Sequence, residues 1–216
     1  MLSYKHGYHA GNQADVLKHI CLIQAYKSLK RHHKSISYID THAGSGDYNF
    51  KSDYMSKNKE YENGISKLEN YKYENQSIKY YLKVLKNINN SKKMTFYPGS
   101  PSIMSFLSGN DDKLYFYELH NNEFQLLRKY LSKQINSKTL NKNGFEFTLQ
   151  KINSKVKTLV LIDPSYEMKD DFDKVVSTLR MLDENYENIT AVIWYPVLNI
   201  ENNDLFIENI RKLGSN

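Results

Sequence analysis

Four residues that follow an apolar run, Asp163-Pro164-Ser165-Tyr166, have groups suited to chemistry on an aromatic amine. A carboxylate and a nearby backbone carbonyl can accept hydrogen bonds from an exocyclic amine, and a tyrosine ring can stack on a planar base. The preceding run, 158–162, predicts a strand buried on both faces of a parallel sheet. Proline cannot continue such a strand, so the motif lies at its carboxyl end, where open α/β sheets bind ligands. Because the motif is short, a simple turn is the alternative.

A second motif, Asp40-Thr41-His42-Ala43-Gly44-Ser45-Gly46, follows an alternating run that begins at Lys34. It predicts a strand that ends in an acid and a glycine-rich loop whose backbone can approach a ligand closely. Residue 49 is asparagine, so the third glycine of the dinucleotide-binding fingerprint is absent. The acid-x-x-x-Gly-x-Gly loop of S-adenosylmethionine-dependent methyltransferases fits instead, and a glycine turn without a ligand is the alternative.

Strands and helices that alternate along the chain would position these motifs. Strands are predicted at 34–40, 113–120, 158–162 and 190–195, with a short segment at 144–149 before the central strand. Helices are predicted at 12–30, 102–108, 122–133, 170–182 and 201–213. This order predicts an α/β fold with a doubly wound, mostly parallel sheet and right-handed crossovers. Glu118 ends the second parallel strand, where an acid can bind the ribose hydroxyls of a nucleoside cofactor.

Residues 47–94 differ from the rest of the chain because they are rich in Lys, Asn and Tyr and have weak strand signals. They are predicted to form an inserted helical subdomain within a single domain that spans residues 1–216. An amphipathic helix is predicted at 78–88, with Lys79, Lys83 and Lys86 on one face. That face is either solvated or contacts the phosphates of an RNA.

The N-terminal residues 3–12 are polar, aromatic and irregular. They are predicted to form either a surface arm or a clamp on a nucleic acid, whose bases aromatic side chains can stack on. Asn12 is expected to cap the first helix, with Asp15 in its first turn complementing the helix dipole.

Three further residues of this first helix have predicted environments. Lys18 and His19 are expected at the edge of its apolar stripe or in solvent. Cys21, the single cysteine, is predicted to be a buried structural thiol because it lies in an apolar run.

The composition restricts the class of protein. Of 216 residues, 40% are hydrophobic and 25% are charged, which is typical of a globular domain with its own core. The formal charge of +6 favours a polyanionic partner, although a general excess of lysine would raise the charge without any binding surface. A single cysteine excludes an internal disulfide, and no Cys/His spacing indicates zinc. Without a signal peptide or an apolar run long enough to span a membrane, a cytoplasmic protein is expected.

Several segments together carry a resemblance to a known family. They are Met1-Leu2-Ser3-Tyr4-x-His6-x-x-His9-Ala10-Gly11-Asn12-x-Ala14-Asp15-Val16-Leu17-Lys18-His19, Asp40–Gly44, Tyr97–Pro101, Glu118–His120, Ile162–Pro164 and Trp194–Pro196. In these segments the chain resembles the RlmJ family over almost its whole length. The resemblance implies a Rossmann-like class I methyltransferase that uses S-adenosylmethionine to methylate an adenine amine of 23S ribosomal RNA. The substrate is expected to be naked RNA or RNA at an early stage of ribosome assembly. The protein is expected to bind no metal and no membrane.

The resemblance also implies roles for individual residues. Asp163 matches the family's catalytic aspartate, and Tyr4 matches a tyrosine near the substrate. Pro164 and Tyr166 are assigned to catalysis from the motif itself, and His6 is assigned to the substrate. Cofactor binding is expected from Lys18, His19, His42, Gly44, Ser100, Glu118, Asn143, Gly144 and Asp163. Within that set, Lys18 is added as a cation beside the cofactor carboxylate, and Asn143 stands where the family has an acid, so it keeps an acceptor but loses the charge.

The predicted reaction is direct transfer of a methyl group to the adenine amine. Hydrogen bonds from the amine to Asp163 and the Pro164 carbonyl would make the nitrogen more nucleophilic, while Tyr166 stacks on a base that has left its helix. The alternatives are a DNA adenine methyltransferase, which would use the same pocket, and a truncated, non-catalytic RNA-binding remnant. A nicotinamide oxidoreductase is disfavoured by the missing third glycine. The family continues past the last helix with further strands, so C-terminal strands are expected to be missing here and the edge of strand 190–195 to be open.

Overall fold

The computed structural model describes residues 6–69, 72–91, 93–147, 152–168, 170–197 and 200–213, with the side chains of residues 147 and 200–202 excepted. The strands are β1 (Ile36–Asp40), β2 (Asp47–Asn49), β3 (Phe96–Pro98), β4 (Lys113–Tyr117), β5 (Ser137–Leu140), β6 (Lys157–Ile162) and β7 (Ile189–Ile193). The helices are α1 (Gln13–Lys30), α2 (Asp53–Asn58), α3 (Ile65–Glu69), α4 (Gln76–Asn89), α5 (Ser100–Leu107), α6 (Asn121–Tyr130), α7 (Gly144–Phe147), α8 (Asp171–Asn185) and α9 (Ile200–Arg211). Short 3-10 turns occur at His6–Tyr8 and Glu60–Asn63.

A parallel five-stranded sheet forms the centre of the fold, in the order β5-β4-β1-β6-β7. Every residue of β1 is buried, and so is every residue of β6 after the first. Alternate side chains point to opposite faces, so that Tyr38 and Leu159 join one hydrophobic cluster while Ile39 and Val160 join another. Helices α1, α5 and α6 cover the first face, and α8 and α9 cover the second. The predicted doubly wound, mostly parallel α/β fold is therefore confirmed.

A third hydrophobic cluster joins α1 to the segment between β1 and β4. Ile23 of α1 packs in this cluster with Ile65, Tyr81 and Leu85 of that segment. Residues 47–94, the predicted inserted subdomain, contain β2 and α2–α4, and β2 pairs with β3 in a small antiparallel sheet. Their status as a subdomain stays a prediction. Lys79, Lys83 and Lys86 of α4 are exposed, as expected for one outward face.

Several sequence-based predictions differ from the structure. The strand β5 was not predicted, because this edge strand of Ser, Lys, Thr and Leu is only partly buried and lacks an apolar run. The segment 144–149 begins with one helical turn, α7, and its residues 148 and 149 lie outside the described chain.

The orientation of α1 also departs from the prediction. Cys21 is exposed, so its prediction as a buried thiol is wrong. Leu17, one turn earlier, is 54% exposed, and residues four apart share a helix face. The buried side of α1 instead includes Leu22 and Ile23, with the charged residues described below.

Strand β7 forms one edge of the sheet. Its five residues are all partly buried, and within the described chain its pairing is with β6. Among the helices of the described segments, none is long and apolar enough to cross a membrane.

Candidate active site

Two cavities meet at the carboxyl end of β6. The larger contains about 1130 Å³ of empty space and the smaller about 530 Å³, open solvent at their mouths included. The two cavities share five of their lining residues, which are His6, Lys18, Asp163, Pro164 and Ser165. Because β6 ends at Ile162, the proline motif turns away from the sheet at the junction between the two cavities.

A buried charge cluster lies at this junction. The Lys18 ammonium is 2.6 Å from a carboxylate oxygen of Asp15 and 2.6 Å from Oδ2 of Asp163. Asp15 also binds the His6 ring at 3.1 Å and accepts a hydrogen bond from the Gly11 amide at 3.0 Å. The side chains of Lys18 and Asp15 are 4% and 3% exposed. The prediction that Lys18 lies at the edge of the helix stripe or in solvent is therefore wrong. The cluster is possible because each charge has an opposite charge in contact.

The charge states of this cluster depend on mutual contact. Burial alone would lower the pKa of Lys18, but Asp15 and Asp163 outweigh it and raise that pKa above its usual value. Burial alone would raise the pKa of Asp15, whereas Lys18 and His6 hold it well below its usual value. At Asp163 burial prevails and raises the pKa, although Lys18 opposes the shift. Asp163 is thus the carboxylate of this cluster that binds a proton most readily.

His19 is buried behind the larger cavity, so its expected solvent exposure is also wrong. Its Nδ1 lies 2.8 Å from the Tyr97 hydroxyl, which in turn is 3.0 Å from the Tyr81 hydroxyl. Burial lowers the pKa of His19 to about 3, so the ring is neutral at physiological pH. A neutral ring can present either a donor or an acceptor to a ligand.

The loop after β1 forms the floor of the larger cavity. Asp40 is fully buried and accepts hydrogen bonds from Ser100 Oγ at 2.6 Å and the Tyr38 hydroxyl at 3.0 Å. Burial raises its pKa to about 6. Gly44 has a φ of +64°, a conformation that glycine adopts without strain, so the loop can turn beneath the cavity. Ser100 is therefore positioned by the buried acid, and its hydroxyl keeps a lone pair for a ligand.

His42 and Gly144 line the same cavity from opposite loops. His42 Nδ1 is 2.8 Å from Thr41 Oγ1, its ring packs edge-on against Phe145, and burial lowers its pKa to about 3. A side chain at Gly144 would place its Cβ only 2.1 Å from the Thr41 carbonyl oxygen. Asn143 uses its carbonyl oxygen to accept from the Phe145 amide and its amide to donate to Glu146.

Glu118 follows β4, beside the glycine loop. Its two carboxylate oxygens accept backbone hydrogen bonds, one from Gly44 at 2.8 Å and one from His120 at 2.6 Å. Burial nevertheless raises its pKa to about 7, with a further contribution from nearby Glu123. The carboxylate is thus fixed at the cavity wall with lone pairs left for the hydroxyls of a ligand.

Tyr166 lines the smaller cavity and has a φ of +54°, a left-handed conformation that is uncommon for a bulky residue. Its hydroxyl donates to the Trp194 carbonyl at 2.8 Å, and its ring packs on Phe172 with centroids 4.6 Å apart. Such strain persists when surrounding contacts enforce it, and it is frequent at functional sites.

The comparison with known proteins adds a family to this geometry. The model of a family described as "Ribosomal RNA large subunit methyltransferase D, RlmJ" matches residues 33–216. The chain belongs to the RlmJ family. The family prediction made from the sequence is confirmed.

Three similar proteins agree with this membership. A protein of Haemophilus influenzae named "Ribosomal RNA large subunit methyltransferase J" is 39% identical over 200 residues, which are 92% of this chain and 71% of that protein. Its namesake in Escherichia coli K12 is 37% identical over 199 residues, with the same two coverages. A crystal structure of a Legionella pneumophila protein is 30% identical with a TM-score of 0.85, and the similarity covers 96% of this chain and 77% of that one.

The fold of this RlmJ-family chain brings most of the predicted site residues together. All nine residues expected to bind a cofactor line the larger cavity, together with Pro164 and His6. Tyr166 lines only the smaller cavity, and Tyr4 lies outside the described residues. Their individual roles stay predictions. Across the described segments of the chain, no group of His, Cys, Asp and Glu side chains could hold a metal ion.

Asp15 is the main residue of the site that sequence reasoning missed. It was predicted only to complement the helix dipole, whereas it also binds Lys18 and His6 at the junction of the cavities. A weak signal was available, because an acid and a lysine three residues apart lie on one helix face. Phe145, Leu119 and Met168, which line the larger cavity, had no such signal.

Proposed function

We propose that this RlmJ-family protein, an rRNA methyltransferase, transfers a methyl group from S-adenosylmethionine to the exocyclic amine of an adenine in 23S ribosomal RNA. The observation that carries this proposal is the junction of two cavities at Asp163 and Pro164. One cavity has the residues for a nucleoside cofactor, and the other has room for a flipped base. The printed names of the curated relatives support ribosomal RNA as the substrate class.

The larger cavity fits the predicted cofactor in two respects. Glu118 presents a fixed carboxylate at the end of β4, where ribose hydroxyls would bind. At Gly144 a Cβ would collide with the Thr41 carbonyl, so the backbone there stays close-packed beside the cavity. S-adenosylmethionine would supply an electrophilic methyl group on a positively charged sulfur.

Asp163 and Pro164 would orient the acceptor amine in the smaller cavity. Lys18 occupies Oδ2 of Asp163, which leaves Oδ1 for the amine, and the Pro164 carbonyl can accept the second hydrogen. These two bonds favour a tetrahedral nitrogen with its lone pair directed away from the ring. A nitrogen–carbon bond would form as the carbon–sulfur bond of the methyl donor breaks, with the bonding electron pair left on sulfur, and one proton of the amine would be lost to water. Alignment and fixed charge supply the rate advantage.

Tyr166 would stack on the extruded base. The bond from its hydroxyl to the Trp194 carbonyl fixes the ring before the base arrives. A base–aromatic stack contributes about 1–3 kcal/mol, enough to compensate in part for leaving the RNA helix. The RlmJ membership favours this enzyme over a DNA adenine methyltransferase. The presence of all nine predicted cofactor residues around one cavity favours it over a non-catalytic remnant. The predicted cytoplasmic location stays a prediction.

The test is transfer of labelled methyl from S-adenosylmethionine to protein-free large-subunit RNA from cells that lack this gene. The RNA is digested and its nucleosides are separated. We expect label in N(6)-methyladenosine with the wild-type protein, loss of at least about 100-fold in rate with Asp163→Ala, and no loss with Asp173→Asn, an exposed acid of α8. Full transfer by Asp163→Ala would refute the assigned role. Genomic DNA is offered to the wild-type protein in a parallel reaction, and label in the DNA but not in the RNA would refute the substrate class.

A further inference from the structure

The smaller cavity has a wall that comes from outside the α/β sheet. His6, His9 and Asn12 line this cavity from the segment that precedes α1, together with Tyr166 and Trp194 from the sheet side of the chain's C-terminal half. Under the proposed function these residues face the acceptor nucleotide. What holds this segment therefore determines the shape of the acceptor site.

Glu60, from the 3-10 turn between α2 and α3, binds two of these wall residues at once. Both of its carboxylate oxygens are 3.0 Å from His9 Nδ1, and Oε2 also accepts a hydrogen bond from Asn12 Nδ2 at 3.0 Å. The side chains of His9 and Glu60 are 42% and 33% exposed, so the contact lies at the mouth of the cavity rather than in the core. Hydrogen bonds to a charged carboxylate are about twice as strong as those between neutral groups.

Asn12 connects Glu60 to the start of α1. Its carbonyl oxygen accepts from the Asp15 amide at 2.9 Å and so caps the helix, while its amide nitrogen donates to Glu60. Because Glu60 can only accept, it fixes which end of the Asn12 amide faces the helix. The side chain of Asn12 is therefore held from two sides, by the start of α1 and by Glu60.

Backbone contacts keep Glu60 in register with this wall. The Ile65 amide donates to the Gly11 carbonyl at 2.9 Å, and a Cβ at Gly64 would come within 2.1 Å of the Gly11 oxygen. The rings of Tyr8 and Tyr54 pack edge-on with centroids 5.2 Å apart. The segment at 54–65 thus supports the wall along its length, and Glu60 of this segment binds two polar side chains of the wall.

We propose that Glu60 is a positioning residue for the acceptor nucleotide, because it fixes His9 and Asn12 in the wall of the smaller cavity. This inference rests on the proposed function. It assigns the region around Glu60, within the predicted insertion, a role in shaping the acceptor site and not in binding the cofactor. Glu60 does not line either cavity, so it acts through the two residues that it holds.

The experiment compares steady-state methylation of protein-free large-subunit RNA by wild type, Glu60→Ala, Glu60→Gln and Glu62→Ala. Glu62 is the matched control, since it lies in the same turn, is 58% exposed and is 4.0 Å from Lys59. With Glu60→Ala we expect KM for the RNA to rise about tenfold, with kcat and the Kd of S-adenosylmethionine changed less than about threefold. Glu60→Gln keeps one acceptor oxygen and should raise KM about threefold.

A double-mutant cycle with His9→Ala tests the route of the effect. If Glu60 acts through His9, the double variant should raise KM by less than the product of the two single effects. Kinetics of Glu60→Ala equal to those of Glu62→Ala would overturn the inference. So would a loss of cofactor affinity and melting temperature in parallel with KM, because that pattern describes a general folding contact. A wild-type protein that methylates no RNA would instead overturn the proposed function, and this inference with it.

Discussion

Replacement of Lys18 by methionine should destabilise the protein in a pH-dependent way. Lys18 is 4% exposed, and its ammonium is 2.6 Å from a carboxylate oxygen of Asp15 and 2.6 Å from one of Asp163. Methionine has a similar length but no charge, so the variant would leave two buried carboxylates without their shared cation. Removal of one partner from a buried ion pair costs about 3–5 kcal/mol. For a chain of this size that loss corresponds to a fall in Tm of roughly 6–20 °C.

The sign of the pH dependence follows from the carboxylates. Burial already raises the pKa of Asp163, and without Lys18 that pKa should rise further. The pKa of Asp15, which Lys18 and His6 hold well below its usual value, should rise as well. A folded-state pKa above the unfolded value means that the folded protein binds more protons, so stability falls as pH rises through the folded pKa. The loss caused by Lys18→Met should therefore be larger at pH 8 than at pH 5.5.

Thermal unfolding of wild type and Lys18→Met, followed by circular dichroism at both pH values, measures this difference. Lys212→Met is the control, because Lys212 is 66% exposed and pairs with Glu208 on the surface of α9. It should leave Tm unchanged. A fall of less than about 2 °C for Lys18→Met at pH 8, or an equal fall at the two pH values, would show that the cluster is not held together as described.

Three further predictions concern the two cavities. Burial raises the pKa of Glu118 to about 7, so affinity for S-adenosylmethionine should rise about tenfold between pH 6 and pH 8 as the carboxylate ionises. Calorimetric titrations of wild type and Glu118→Gln at several pH values check this prediction. An equally steep dependence of affinity on pH in the variant would contradict it. Gly144→Ala should weaken cofactor binding at least about tenfold, because its Cβ would lie 2.1 Å from the Thr41 oxygen. Gly109→Ala, whose Cβ would have its nearest atom at 3.8 Å, should leave the affinity unchanged. Equal affinities of the two variants in titrations would show that the close packing at Gly144 does not shape the cofactor cavity. Tyr166→Phe loses one hydrogen bond, which costs about 1 kcal/mol of stability, but it should retain methyl transfer. Tyr166→Ala should lose methyl transfer because no ring remains to stack on the base. Rate assays that find the two variants equally active would exclude stacking.

The sequence was most informative where local pattern and burial agree. The apolar runs of β1 and β6 are buried over almost their full length. β1 ends at Asp40, and β6 ends at Ile162, one residue before Asp163, as the sequence predicts. Asn12 caps α1 as predicted, since capping depends on neighbouring residues alone. Strand β5 was missed because an edge strand needs few apolar side chains.

The polar interior could not be predicted in the same way. Lys18 is buried because Asp163, 145 positions later in the chain, supplies its partner. Within one helix turn the sequence offers Lys18 only Asp15, and one neighbouring acid does not indicate that the lysine is buried. The exposure of Cys21 has a similar cause. Its apolar neighbours predict burial, but the side of α1 that packs on the rest of the fold is set by distant parts of the chain and does not include Cys21. The residues around the larger cavity were predicted from the resemblance to the RlmJ family. Their spacing along the sequence does not by itself indicate that they lie together.

The central position of β1 has a consequence for synthesis on the ribosome. Ser37 pairs with Lys113 and Ile36 with Lys157, so this fully buried strand emerges long before either of its neighbours. At about 5–20 residues per second, the roughly 75 residues up to the first partner take about 4–15 seconds. During that interval β1 is an unpaired apolar strand with two open edges, which is the form most prone to aggregate. The segment between β1 and β4, which packs on α1, is made in that interval and can cover part of the nascent chain first.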